Sequence, residues 1–397
     1  MEPPVPLDAD EREELRLLAA ARQSKVEART ADLFAFRPQQ RPLTIVNSAL
    51  YWLFGLDPET IPDAYMTDPA VMTAFQERNQ LEQLRAIEDD YVPYVMPWFG
   101  TVVGASALGC KIEFVPRQDP AADPTYYPVQ TPDDVHRLQV PDPNRDGMMP
   151  TVLSFLRYMR DNSVLPVGIT DFQGPLTTAN QLMGYDKLMY LMYDDPKAAH
   201  ALMDVVTESL ITWVKAQKAV IGEALDYCIS DQQVYMGPHG GVWFSDDDAV
   251  LISSKLYREF VVPYNSRILT AFGGGAIHYC GNATHHVDNF KATEGLRALN
   301  IYTLHNLASI VEMQRGLQDQ VALFVCDFTP VDYEAYFDEL LTLVNPRGTV
   351  ICSQYSPVVG LLPGGKYNAI RRPLIEGRND VSRALNARLD GPSFANG

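Results

Sequence analysis

Three things are scarce in this sequence. Cysteine is one. Five residues, an odd number scattered between positions 110 and 352 of a 397-residue chain, do not make a disulfide framework and read as reduced thiols or metal ligands. Basic residues are another. Only 32 Lys and Arg stand against 50 Asp and Glu, giving a net charge of −18, which repels phosphate backbones and anionic headgroups and argues against nucleic acid and membrane surfaces as partners. The third is a long apolar run. Nothing approaches the roughly 20 residues that span a bilayer, and the opening MEPPVPLDADEREEL has no basic segment leading into an apolar one. A soluble, cytoplasmic protein is expected. There is also no repeat of fixed period and no internal linker, so one core is expected rather than two.

What the chain does have is eight short apolar segments separated by mostly helical connections. They are PLTIVN (residues 42–47), YVPYVMPWFG (91–100), VLPVGITDF (164–172), YCISDQQV (227–234), AIHYCG (276–281), LRALNIY (296–302), VALFVCDF (321–328) and GTVICS (348–353). Alternation of strand and helix implies a parallel sheet, and eight units imply closure into a barrel. The expectation is an α/β chain: a (β/α)8 TIM barrel over residues 41–397 with an N-terminal helical extension over residues 1–40. The extension helix is capped by Asp8 or Asp10, and further helices are expected over residues 69–87, after Asp195-Pro196, and from Ser245 with three acids behind it. Residues 116–150, dense in proline and aspartate, are too long for an ordinary connection and read either as a wall over the active site or as a solvated excursion.

Residues at the C-terminal ends of barrel strands face the active site. That rule collects His278 and Cys280, two apart and therefore on one face of their strand, with Cys326, Asp327 and Cys352 from the last two strands. It also collects Trp98 and Phe99 from the second strand, Asp171 (with Gln173 just beyond it) from the third, and Asp231 from the fourth. An imidazole with two thiolates is a usual catalytic zinc set that leaves a fourth position open. Asp171 and Asp231 are the candidate catalytic carboxylates; Trp98, Phe99 and Gln173 are candidates for substrate binding. Cys110 and Cys228 are assigned to packing, His239 and His305 to hydrogen-bonded structure, and His285 and His286 to a capping or surface role.

The run LYREFVVPYNSRIL with AIHYCGN after it, GPLTTANQLMG before it and PGGKYNAIRRPL beyond resembles the uroporphyrinogen decarboxylase superfamily from about residue 90 to the C-terminus. That resemblance implies an (α/β)8 barrel. One branch comprises zinc methyltransferases that move a methyl group from a corrinoid protein to a thiol such as coenzyme M, with H-x-C on the fifth strand and a further cysteine on the last. The resemblance therefore implies His278, Cys280 and Cys352 as metal ligands, with Cys352 preferred to Cys326. True decarboxylases hold an eight-carboxylate tetrapyrrole with arginines in a motif at the first strand; PLTIVNSALYW has none, although Arg37 and Arg41 lie just before it. The expected cofactors are zinc and a methylcobalamin-type corrinoid carried by a partner protein, since the chain has no D-x-H-x-x-G corrinoid signature. The methyl acceptor is a small molecule, a thiol or tetrahydrofolate. A decarboxylase-like lyase and a non-catalytic corrinoid-docking subunit are the alternatives, and a homodimer is left open.

Overall fold

The computed structural model describes residues 5–48, 60–355 and 374–390; the stretch PGGKYNAIRRPL lies outside them but for its last residue. Among the described residues there are ten short strands: β1 (Leu43–Ser48), β2 (Ile112–Glu113), β3 (Ala121–Ala122), β4 (Cys228–Ser230), β5 (Tyr235–Gly237), β6 (Val242–Ser245), β7 (Gly275–Cys280), β8 (Leu296–Tyr302), β9 (Ala322–Phe328) and β10 (Thr349–Tyr355). Six of them form one parallel sheet in the order β1, β10, β9, β8, β7, β6. Two irregular staves complete the ring between β1 and β6. The stave around Val95 is joined to β1 by Asp90 N donating to Thr44 O at 2.7 Å, and to its neighbour by Val95 N to Pro166 O at 2.9 Å and Gly168 N to Val95 O at 2.8 Å. The stave around Val167 reaches β6 through Ser245 N to Phe172 O at 3.1 Å and Gly174 N to Ser245 O at 2.6 Å. These staves carry Pro93, Pro97 and Pro166, which have no N–H to donate and so permit bridges but no continuous ladder. The result is an eight-membered (β/α)8 barrel.

Two expectations about the strands need correcting. The fourth barrel strand is β6, not residues 227–234; its four residues VWFS end on Ser245, where the sequence places the cap of a helix. Its position is fixed by close backbone approach, since a Cβ on Gly275 would lie 2.0 Å from Val242 O and one on Gly241 would lie 1.8 Å from Leu225 O. The expected strand over 227–234 is instead the first arm and tip of an antiparallel hairpin, β4 paired with β5 (Cys228 opposite Gly237, Ser230 opposite Tyr235). Every residue from Cys228 to Gly237 is buried. The tip meets staves on different sides of the ring: Tyr94 Oη donates to Gln232 O, Gln232 Nε2 to Asp171 Oδ2, and Gln233 Nε2 to Tyr302 Oη. The hairpin base meets the helix below: Tyr235 Oη donates to Glu27 and His239 stacks on Phe34 at 4.8 Å. It therefore enters the barrel from its N-terminal end and fills the interior beneath the mouth.

That lower helix is α1 (Ala9–Phe34), started by a reciprocal cap in which the Asp8 carboxylate accepts from Glu11 N and the Glu11 carboxylate from Asp8 N. It is tied to the barrel by two buried acids. Asp89 and Asp90 accept from the backbone N–H groups of Val46 and Thr44 on β1 at 2.9 and 2.8 Å, and pair with Arg22 and Arg29 of α1. A second helix, α2 (Pro69–Ala86), starts at Asp68 and packs on α1. Within residues 116–150, Thr131 caps the turn Pro132–Val135 as expected, and Asp119 accepts from Trp98 Nε1 at 2.5 Å.

Candidate metal centre

The acidic run Asp246, Asp247 and Asp248 follows β6 directly, and its three carboxylates have different fates. Asp246 is buried, its Oδ2 accepting from Tyr257 Oη (2.8 Å) and Asn265 Nδ2 (3.0 Å), and its backbone N–H donates to His278 O at 2.7 Å. Burial pushes its carboxyl up to about 7. Asp248 is held by Asn180 Nδ2 at 2.8 Å. With its neighbours pinned by the scaffold, Asp247 is the carboxylate left facing the end of β7.

There it meets the expected pair. His278 Nε2 lies 3.4 Å from Cys280 Sγ and 3.7 Å from Asp247 Oδ1, and Asp247 Oδ1 accepts from Cys280 N at 3.1 Å. Ligand atoms of Asp247, His278 and Cys280 all lie within 4.8 Å of one another, and among the described residues no other group of three His, Cys, Asp or Glu side chains meets that condition. His278 is buried and Cys280 exposed. Desolvation by the surrounding protein, reinforced by the Asp247 carboxylate, holds the Cys280 thiol well above the ordinary range. The other ring nitrogen, His278 Nδ1, is 3.1 Å from Asn300 Oδ1, and Tyr302 stands edge-on to the imidazole at 4.9 Å. A histidine held at one nitrogen and directed with the other toward a thiol and a carboxylate is the arrangement of a metal ligand with its outer-shell partner.

Cys352, the further cysteine expected from the sequence, lies outside this group of three. It is buried directly opposite Cys326 in the β9–β10 ladder, three strands around the ring from β7. Burial first, and then Cys352, push the Cys326 thiol well up. The third side chain of the group is Asp247, one of the three acids that the sequence places behind a helix cap at Ser245; an aspartate run immediately after a strand end is the signal available for it. Asn300 was missed too, although a lone amide within the otherwise apolar LRALNIY is unusual enough to flag.

The remaining expected site residues divide. Gln173 Nε2 donates to Asp247 Oδ2 at 3.2 Å, so it borders the cluster. Asp171 is buried beside it, with Oδ2 taking the Gln232 amide and Oδ1 unpartnered; desolvation and then Asp247 push its carboxyl well up. Asp231 is not at a barrel strand end but on the hairpin tip, where Oδ1 accepts from Gln233 N and Val234 N, and Oδ2 from Asn300 Nδ2. Trp98 is buried and turned to Asp119. Phe99 is a correction: it packs edge-on against Phe155 of the outer helix Met149–Asn162 at 5.0 Å, in the layer behind the strand. Asp327 organises the turn after β8 through Thr303 Oγ1 and Leu304 N. His285 and His286 bond the carbonyls of Ile252 and Ala249.

Comparison with known proteins narrows the setting. A model of the family described as uroporphyrinogen decarboxylase (URO-D) matches residues 83–324, well over half of the chain and all three members of the cluster. A methylated-thiol–coenzyme M methyltransferase from Methanosarcina mazei is 29% identical over 196 residues, 47% of each chain. A uroporphyrinogen decarboxylase from Halalkalibacterium halodurans is 31% identical over 179 residues, 43% of this chain and 48% of that protein. The match thus spans about half the length of these curated relatives. Among solved structures, a methyltransferase from M. mazei superposes with a TM-score of 0.63 at 17% identity, covering 90% of this chain and 96% of that one; at that identity the likeness concerns the fold.

Proposed function

The chain belongs to the uroporphyrinogen decarboxylase family, and within it we propose that the protein is a zinc-dependent methyltransferase that moves a methyl group from a corrinoid protein to a thiol. The observation that carries this reading is the convergence of Asp247, His278 and Cys280. An imidazole, a thiolate and a carboxylate are three donors suited to zinc, and together they leave a fourth position for an exogenous ligand. One thiolate and one carboxylate carry the same charge as the two thiolates expected from sequence, so the ion would still be neutralised. When bound, zinc would lower the pKa of an acceptor thiol and hold it as thiolate at neutral pH.

The chain's own residues supply the rest. Asn300 orients the His278 ring, and Gln173 holds the second oxygen of Asp247. Tyr302, set against the imidazole, and the filled barrel interior below it exclude water from the inner side of the cluster. The substrate approaches from the mouth, where Cys280 is exposed. A donor set of imidazole, thiol and carboxylate at the mouth suits metal-held thiol chemistry, which supports methyl transfer over decarboxylation.

The test is metal content joined to activity. Protein purified without chelator is expected to hold about one zinc per chain and to methylate thiols from free methylcobalamin, with tetrahydrofolate tried in parallel as acceptor. Cys280→Ser and Asp247→Asn should lose most of both, whereas Cys352→Ser should keep its zinc. Zinc content unaffected by Cys280→Ser, or decarboxylation of a carboxylated substrate by zinc-free protein, would overturn the reading.

A further inference from the structure

The hairpin that plugs the barrel ends in the sequence Asp231-Gln232-Gln233, and two of these side chains converge on one amide. Asn300 Nδ2 donates to Asp231 Oδ2 at 3.0 Å and to Gln233 Oε1 at 3.2 Å, while Asn300 Oδ1 faces His278 Nδ1 at 3.1 Å. Gln233 in turn donates through Nε2 to Tyr302 Oη at 3.0 Å. All five side chains are buried, so water does not rescue a mismatched pair.

A chain of this kind has two self-consistent directions unless something fixes one. Asn300 and Gln233 each present a donor end and an acceptor end and exchange them by a half-turn of the amide. The Tyr302 hydroxyl donates or accepts, and a neutral imidazole carries its proton on either nitrogen. The carboxylate is different, because it only accepts. Asp231 is itself anchored by the backbone N–H groups of Gln233 and Val234 on its other oxygen, so it cannot turn away.

We propose that Asp231, carried into the barrel on the β4–β5 hairpin, is a positioning residue that sets the tautomer of His278 through Asn300. Facing an acceptor-only group, Asn300 must turn its NH2 toward the hairpin and its oxygen toward His278. The imidazole then carries its proton on Nδ1, and Nε2, the nitrogen directed at Cys280 and Asp247, keeps the free lone pair a metal needs. Asp231 touches neither metal nor substrate. The hairpin is thus more than filling: it delivers the one group that gives the network its polarity. This deepens the proposed function and rests on His278 being a ligand there.

The isosteric change Asp231→Asn makes the prediction sharp. The new NH2 would face that of Asn300, and the whole chain can relieve the conflict by reversing: Asn300 turns, Gln233 turns, the Tyr302 hydroxyl donates, and the His278 proton moves to Nε2. Every bond is remade, so folding survives while the ligand nitrogen is blocked. The exchange Asp231→Asn with Asn300→Asp keeps the net charge and restores an acceptor opposite Nδ1–H. Nitrogen-15 NMR of the histidine rings in zinc-free protein should report the Nδ1–H tautomer for His278 in the wild type, Nε2–H in Asp231→Asn and Nδ1–H again in the exchanged pair. Zinc affinity, measured by competition with a chromophoric chelator, should fall by about 10- to 100-fold in the single variant and recover in the pair. An Nδ1–H tautomer persisting in Asp231→Asn overturns the inference, whatever the zinc affinity. Should Asp231→Asn fold poorly, a pair that folds but shows Nε2–H overturns it equally. Wild type showing Nδ1–H but no zinc binding would instead sink the proposed function and leave the relay standing.

Discussion

His286 is fully buried, its ring stacked on Tyr257 at 4.2 Å, with Nε2 bonded to Ala249 O at 2.8 Å and Nδ1 facing the amide of Asn289 at 3.1 Å. Desolvation is the first cause that pushes it down to about 4, against about 6.5 in an unfolded chain. The unfolded chain therefore takes up a proton first as pH falls. The contribution of this residue is complete above about pH 6.5 and is lost as pH falls toward 4. Melting temperatures of wild type and His286→Gln should converge as the pH is lowered through that window; parallel curves would refute the assignment. The same scale shows what a sequence can yield of a site. His278 and Cys280 were legible because a period of two on a strand is a geometric fact. Asp247 was not, because acids behind a capping serine also explain themselves as the first turn of a helix. Cys352 has the place on the last strand that the sequence assigns it, but a strand position does not say how far across the barrel a side chain must reach. Asp231 was named for its carboxylate and placed on the wrong kind of element.

Among the elements, α1 and β1 are joined through Asp89 and Asp90, whose carboxylates take the place of strand partners for Val46 and Thr44. Burial is the first cause that raises the Asp89 carboxyl, offset by Arg22. Arg22→Met would remove the guanidinium paired with that buried carboxylate, leaving Arg378 as its cationic neighbour, and a loss of about 3 kcal/mol is expected in urea unfolding. Arg16→Met on the same helix removes only an exposed pair with Glu13 and should leave the urea midpoint nearly unchanged. Equal losses in the two variants would show that the buried pair has no special role. Elements with clean punctuation were readable in advance, such as α1 with its Asp8 cap and the turn behind Thr131. The fourth strand was not. Its VWFS is only four residues long and runs straight into an acidic turn, whereas the longer apolar stretch nearby, interrupted by Asp231, Gln232 and Gln233, is the hairpin. Three consecutive polar residues at the centre of a supposed core strand carried the physical hint: they mark a tip that brings hydrogen bonds with it.

On the scale of the whole molecule, the net charge of −18 favours expansion through self-repulsion, and exposed ion pairs such as Arg145 with Asp146 or Arg160 with Asp161 oppose it only weakly. Raising sodium chloride from about 10 to 200 mM shortens the screening length from roughly 30 Å to under 10 Å. The melting temperature should therefore rise by a few degrees, and a fall would mean that the surface pairs outweigh the excess charge. Barrel closure was legible from the count of apolar segments alternating with helices, since eight such units are what a (β/α)8 ring takes. The filling of its interior was not, because that depends on which of two neighbouring segments joins the ring. The proline-bearing staves make the wall uneven. From β6 round to β1 a continuous ladder binds each strand to the next, whereas between Val95 and Val167 a pair of backbone bonds bears the load. Thermal fluctuations will part the cylinder on this proline-bearing side before the laddered one, so deuterium should enter there first, and the floor of the site beside Asp171 will feel each opening while the side built on His278 stays still.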